Sequence, residues 1–168
     1  MTLALGRYDS PLGQLAVATV GDCVVGIDLR GDPAALEIQL IKQTGASASG
    51  SPSRVVLEGL DRYFAGDLTA IDALAVNPSG TPFQLRVWSA LRDVRAGLTI
   101  SYSAIAKRLG TPRAVRAVGA ANGANPIPIV IPCHRVIGAD GRLVGYGGGL
   151  ERKRWLLAHE GVRSGMLL

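Results

Sequence analysis

Cysteine and histidine are both scarce in this chain: 168 residues hold only Cys23, Cys133, His134 and His159. Two cysteines are too few for a disulfide framework and cannot build a four-cysteine zinc site, so a reduced, cytoplasmic compartment is the natural reading. No run approaches the roughly 18 uninterrupted apolar residues that a membrane span needs, and no membrane partner is expected. Met1 to Arg7 lacks the charged stretch and apolar block of a secretory signal. Aromatic residues make up only 5% of the chain.

What is present is 48% apolar composition, enough for a real core in one ordinary domain or two small ones. The net charge of +5 is unevenly spread. Residues 1–80 carry five Lys/Arg against nine Asp/Glu, a balance of −4, and residues 81–168 carry thirteen against four, a balance of +9. A second half of that sign suits a polyanion, or else a solvated basic surface; charge alone does not choose.

The first thirty residues predict a β-meander: "LALGRYD" and "QLAVATV" flank the turn "SPLG", and "CVVGIDL" follows Gly21-Asp22. Cys23 begins the third strand as a small buried hydrophobe. Asp32-Pro33 opens a helix to about Gln43, Thr44–Ser53 forms a mobile small-residue loop, and a second helix runs from about Arg54 to Ala65 with Val56, Leu60 and Tyr63 inward. Turn residues cluster at "NPSGTP", where the charge balance reverses, so domains are expected at 1–78 and 79–168. The second begins with a helix from Thr81-Pro82 to near Gly97 bearing Gln84, Val87, Trp88 and Leu91 on one face. An amphipathic helix with Tyr102, Ile105, Ala106 and Leu109 comes next. After Gly110, Thr111-Pro112 caps "RAVRAVGAANG". Two short helices around a tight glycine turn resemble a helix-turn-helix. The fold class expected is therefore α/β (α+β): a small N-terminal antiparallel sheet with helices, then a mostly helical C-terminal domain.

In that last helix Ala114, Ala117, Val118 and Ala121 are placed inward, and Arg113, Arg116 and Ala120 outward beside Gly119 and Gly123. Small residues let the backbone approach closely while two arginines meet phosphate, which with the charge balance favours DNA over a plain surface helix. Beyond it, "NPIPIVIPCHRVIG" delivers Cys133 and His134 on an apolar run. The run reads as a buried extended segment that Pro126, Pro128 and Pro132 keep from being an ordinary central strand. A thiol attacks as thiolate, so a base or cation must lower its pKa. Neighbouring side chains on an extended segment point apart, so His134 is expected to act through a water, with Glu160 fixing its tautomer. "GYGGG", Gly145 to Gly149, is expected to be a flexible loop whose N–H groups line a small pocket, or simply a connection.

"RAVGAANGANPIPIVIPCHRV" followed by "GYGGGL" resembles the O6-alkylguanine-DNA alkyltransferase family over about Thr81 to Gly161, and the "SPLG" half is similar to that family's variable first domain. The resemblance implies a single-use DNA repair protein without a cofactor. It binds double-stranded DNA, flips out an O6-alkylguanine (or O4-methylthymine) and takes the alkyl group irreversibly on Cys133. It further implies that His134 deprotonates the thiol through water, that Glu160 orients His134, and that Asn125 holds the turn behind the helix-turn-helix. Arg116 would fill the gap left by the flipped base and Tyr102 would help rotate it. Arg113 and Ala114 would meet DNA, and Val136, Tyr146 and Gly147 would line the base pocket. The zinc site of some relatives lacks its ligands here, since Cys23 stands alone and no histidine precedes residue 134, so no metal is expected. A monomer is expected, with cooperative loading on DNA left open. The alternatives are a non-catalytic helix-turn-helix protein that binds alkylated lesions, and a cysteine hydrolase.

Overall fold

The computed structural model describes residues 2–163; Met1 and residues 164–168, which the expected domains include, lie outside the described residues. The chain divides into two compact units. One comprises the chain up to Ser79 together with Pro126–Val130; the other comprises Gly80–Asn125 and the chain from Ile131 onward. The sequence reading placed residues 126–130 in a continuous second domain, whereas in the structure they pack with the first unit.

In the first unit β1 (Leu3–Ser10) and β2 (Gly13–Val20) form the expected hairpin, in register from Leu3 opposite Val20 to Ser10 opposite Gly13. Ser10 Oγ accepts the Leu12 N–H at 3.1 Å and donates to Gly13 O at 2.6 Å, which closes the turn. β3 (Cys23–Asp28) continues antiparallel, with an irregularity at Ala18/Thr19. β4 (Ala75–Val76) then joins β3 in parallel, so the sheet is not wholly antiparallel; two residues are too few to show a strand period in the sequence. Cys23 is only partly buried.

Asp32 caps α1 (Pro33–Thr44) by accepting the Ala34 and Ala35 N–H groups, and Leu36 and Leu40 pack on Leu3, Ala16 and Ala18. The segment expected to be mobile is instead pinned to the sheet. Ser49 N–H donates to Leu3 O at 2.7 Å, Leu5 N–H to Gly50 O at 3.3 Å, and Ala48 N–H to Glu37 Oε1 at 3.1 Å. The backbone of β1's free edge thus finds partners that a composition of Gly, Ala and Ser does not advertise. α2 (Arg54–Phe64) buries Val56, Leu60 and Tyr63 as its spacing predicts. Residues 126–130 are buried but form no strand: Ile27 N–H donates to Pro126 O at 3.0 Å, and the chain turns with Ile129 at φ 76°. For a β-branched residue that conformation costs on the order of 1–3 kcal/mol. Prolines deprive this stretch of the donors that a ladder requires.

In the second unit α3 (Pro82–Arg92) opens with a capping box: Thr81 Oγ1 accepts the Gln84 N–H at 3.2 Å and Gln84 Oε1 accepts the Thr81 N–H at 2.9 Å. The helix stops at Arg92, short of Gly97, because Asp93 and Val94 already turn their N–H groups back onto Ala90 and Leu91. Gln84 serves the cap, while Val87, Trp88 and Leu91 form the buried face. A Cβ on Gly80 would stand 2.5 Å from the Trp88 ring, so that turn requires glycine.

β5 (Ile100–Ser101) leads into α4 (Tyr102–Arg108), capped by Ser101 Oγ on the Ala104 N–H at 3.1 Å. α5 (Val115–Gly123) begins three residues beyond Pro112, with Ala114 as a cap that offers no side chain. Thr111 N–H is bound to Ala106 O and Ala114 N–H to Thr111 O, so these residues form the turn between the helices rather than a first helical turn. Val118, Ala121 and Asn122 make the buried face; Ala117, expected inward, is exposed. Trp88 Nε1 donates to Ala121 O at 2.8 Å and ties α3 to α5. β6 (Val136–Ile137) pairs in parallel with β5, and α6 (Leu150–His159) ends the described helices.

Candidate active site

Pro132 sits at φ −81°, ψ 63°, the geometry of an inverse γ-turn, and Cys133 N–H accordingly donates to Ile131 O at 2.8 Å. The proline ring presets that φ. Cys133–Arg135 then wind into one turn of 3-10 helix, with Arg135 N–H on Pro132 O at 3.0 Å. This corrects the extended geometry expected for Cys133 and His134. In a helical turn, consecutive side chains need not face opposite ways, and all three are enclosed: Cys133 is 4% exposed, His134 0% and Arg135 1%. Asn125 holds the turn from behind, its Nδ2 donating to Ile131 O at 2.8 Å while its side chain also hydrogen-bonds the Cys133 sulfur.

Glu160, the C-cap of α6, gathers the two residues after the cysteine. Its Oε1 lies 2.8 Å from His134 Nε2 and 2.8 Å from Arg135 Nη2, and its Oε2 accepts from Arg135 Nε at 2.9 Å. Arg135 Nη1 donates to Val94 O. Burial alone would raise the Glu160 carboxyl, but His134 and Arg135 overcome it and hold the group well below the carboxylate range. Burial pushes His134 down despite Glu160, so the imidazole is neutral. A carboxylate can only accept, which puts the single ring proton on Nε2 and leaves Nδ1 an acceptor. That Nδ1 is buried and has no partner in the protein. A Cβ on Gly97 would lie 3.1 Å from the Glu160 carbonyl, so glycine lets the two segments meet.

The resting thiol is not the low-pKa cysteine that the sequence argument asked for. Burial pushes Cys133 up to about 11, with Asn125 and the Lys153 charge opposing. Lys153, fully buried, aims its ammonium at three carbonyls: Val136 O at 2.6 Å, Gly145 O at 3.2 Å and Val144 O at 3.3 Å. Burial lowers it to about 8, with Cys133 opposing. The glycine-rich loop is therefore tethered rather than free. Arg152 Nη1 also donates to Gly148 O at 2.9 Å, and Gly149 N–H to Tyr146 O at 3.0 Å. Around Gly147 there is open space.

The structure brings Cys133, His134, Asn125, Glu160 and Val136 together, and Tyr102 reaches the same region by donating its hydroxyl to Val144 O at 3.1 Å. Arg113 and Arg116 stand apart, exposed on the open side of α5 and its preceding turn, with Ala114 half-buried between them. Two contributors escaped the sequence reading: Lys153 and Asn122, whose Nδ2 lies 3.5 Å from Cys133 O. One signal was available. Lys153, Leu156, Leu157 and Glu160 share one helical stripe, two charges on an otherwise apolar face. Among the described residues no cluster of three or more His, Cys, Asp or Glu could hold a metal, and no helix is long and apolar enough to cross a membrane.

Residues 82–162 match the family model described as the 6-O-methylguanine DNA methyltransferase DNA-binding domain. A Mycolicibacterium paratuberculosis protein named methylated-DNA–protein-cysteine methyltransferase is 45% identical over 158 residues, 90% of this chain and 88% of that one. The Salmonella typhimurium protein of the same name is 61% identical over 99 residues, spanning 59% of this chain and 58% of its own length. Among solved structures, Mycobacterium tuberculosis OGT in complex with DNA superposes with a TM-score of 0.80 at 41% identity, covering 95% of this chain and 92% of that one.

Proposed function

This chain belongs to the methylated-DNA–protein-cysteine methyltransferase family, and on that premise we propose that it repairs DNA by direct reversal of base alkylation. It binds double-stranded DNA through its second unit, extrudes an O6-alkylguanine and transfers the alkyl group to Cys133 in one turnover, with O4-methylthymine as a further substrate. It works as a monomer in the cytoplasm. The observation that carries the proposal is the enclosed Cys133–His134–Glu160 series, ending in an unpartnered acceptor on His134.

A thiol held near pKa 11 does not ionise by itself at neutral pH. His134 Nδ1 takes its proton through a bridging water, and the Glu160 carboxylate stabilises the imidazolium that results. The sulfur then attacks the alkyl carbon in line. The S–C bond forms as the C–O6 bond breaks, the electron pair passes onto the purine, and the proton lost by sulfur is balanced by one gained at guanine N1. The product thioether is chemically inert, so each molecule acts once. In-line approach to O6 inside a base stack is impossible, which makes extrusion a requirement; a poorly paired lesion lowers its cost of a few kcal/mol.

Arg116 fills the vacated stack, and Arg113 with the backbone at Ala114 contacts phosphate. Tyr102 hydrogen-bonds the base, Val136 with Tyr146 and Gly147 surrounds it, and Asn125 keeps the nucleophile's turn in place. The test is incubation with duplex carrying labelled O6-methylguanine, followed by peptide mapping. One methyl on Cys133 per molecule is expected; label that stays on DNA or lands elsewhere refutes the proposal. Cys133→Ser should bind the lesion and transfer nothing, since a hydroxyl is a far weaker nucleophile.

A further inference from the structure

The glycine-rich loop, Gly145 to Gly149, has an anchor at each end. At its start Lys153 Nζ spans the carbonyls of Val144 and Gly145 and that of Val136, the residue that ends the Cys133 turn. At its end a single peptide group is gripped from both sides. Its carbonyl, Gly148 O, accepts from Arg152 Nη1 at 2.9 Å, and its N–H, that of Gly149, donates to Tyr146 O at 3.0 Å. Gly149 sits at φ 90°, ψ 150°, a conformation that suits glycine alone. A peptide between two glycines meets little steric resistance to turning over, so these two bonds set its orientation. Turning it would release Tyr146 O and, with it, the span Tyr146–Gly147.

Arg152 is placed against local preference. It is the third residue of α6, where the helix dipole disfavours a cation, and its Nε is buried without a hydrogen-bond partner. An arginine kept in so unfavourable a place marks a point where something is held, and what it holds is the Gly148 carbonyl. We propose that Arg152 is a positioning residue that locks the Gly148–Gly149 peptide, and through it the width of the alkyl pocket, so that it sets how large an alkyl group Cys133 accepts. The proposal rests on the alkyl-transfer function above. With the peptide locked, Tyr146 and Gly147 stay close against the extruded base and suit a methyl group. Space is open around Gly145 and Gly147, so the loop can swing outward for a bulkier group, but only once Arg152 releases Gly148. A small alkyl group gains from a wall fixed in advance; a large one must first displace it.

The test uses the full chain with Arg152→Met, which keeps the aliphatic stem and removes the donor, and Arg152→Lys, which keeps the charge and one donor group. Amide hydrogen exchange without DNA reads the latch. The Gly149 N–H should exchange at least about tenfold faster in Arg152→Met, and by a smaller factor in Arg152→Lys. Single-turnover transfer to Cys133 is then timed from O6-methylguanine and from O6-benzylguanine in the same duplex. The methyl-to-benzyl rate ratio should fall about tenfold in Arg152→Met, equivalent to about 1.4 kcal/mol. Lost attraction for phosphate acts on both lesions alike and cancels in the ratio. An unchanged ratio, or Gly149 exchange that stays at the wild-type rate, overturns the proposal. If wild type leaves both alkyl groups on the DNA, the function falls instead, and the exchange arm still decides whether Arg152 holds the loop; if Arg152→Met does not fold, Arg152→Lys decides both arms.

Discussion

His134 presents Nε2 to the Glu160 carboxylate at 2.8 Å and keeps Nδ1 enclosed without a partner. The carboxylate thus decides which nitrogen is free to take a proton. Arg135 binds the same carboxylate through two nitrogens, so its charge is matched inside the protein. The histidine is kept neutral by burial, and the carboxylate beside it is ready to stabilise the cation once a proton arrives.

Glu160→Gln removes that stabilisation and leaves Arg135 charged and buried beside a neutral amide. Transfer to Cys133 should slow at least about 100-fold, and the protein should lose about 3–5 kcal/mol of stability. Rapid-quench transfer and urea unfolding measure the two separately. Near-normal values of both would remove Glu160 from the mechanism.

Stability should fall with acid in two stages. His134 is depressed in the folded state, so the unfolded chain binds its proton first; this contribution is present above about pH 6.5 and lost below it. Glu160 is also depressed, and its contribution is present above about pH 4.3 and lost as pH falls further. Urea midpoints between pH 8 and 3 should decline through both windows. In Glu160→Gln the lower decline should largely disappear.

Lys153→Met leaves the carbonyls of Val136, Val144 and Gly145 without this donor and removes a cation whose charge eases Cys133 ionisation. Iodoacetamide modification of the free wild-type protein should show Cys133 ionising near pH 11. The variant should ionise higher still and lose about 1–3 kcal/mol of stability. An apparent value below 8.5 in wild type would contradict the enclosed thiol described above.

Arg113→Ala and Arg116→Ala should separate by salt. If Arg113 neutralises one phosphate, removing it lowers the slope of log affinity against log salt by about 0.9 on any duplex. If Arg116 enters the base stack, its removal should matter more on a lesion-bearing duplex than on undamaged DNA. Equal effects on both duplexes would return Arg116 to the same class as Arg113.

Elements whose cause is local were legible in the sequence. Asp32-Pro33, Thr81-Pro82 and the stripe Val56, Leu60, Tyr63 carry their own caps and periods, and the structure has helices there. The family motif located the cysteine and its neighbours. What stayed hidden depends on partners distant along the chain. The Thr44–Ser53 segment is fixed by the backbone of β1, which its own composition does not reveal. The turn at Cys133 comes from a proline dihedral that an apolar run disguises as extended chain. Asn122 looks like one more small polar residue until the Cys133 carbonyl is folded against it.

Trp88 is enclosed, backed by Gly80, and bonded through its indole nitrogen to the carbonyl of Ala121 on α5. The only other tryptophan, Trp155, is stacked 4.9 Å from the His159 ring on α6. The molecule therefore contains a native fluorophore that reads the state of the helix bearing Arg116. Loosening of that helix on DNA would shift the emission of Trp88 to the red, and a label-free stopped-flow trace could time it before any methyl moves.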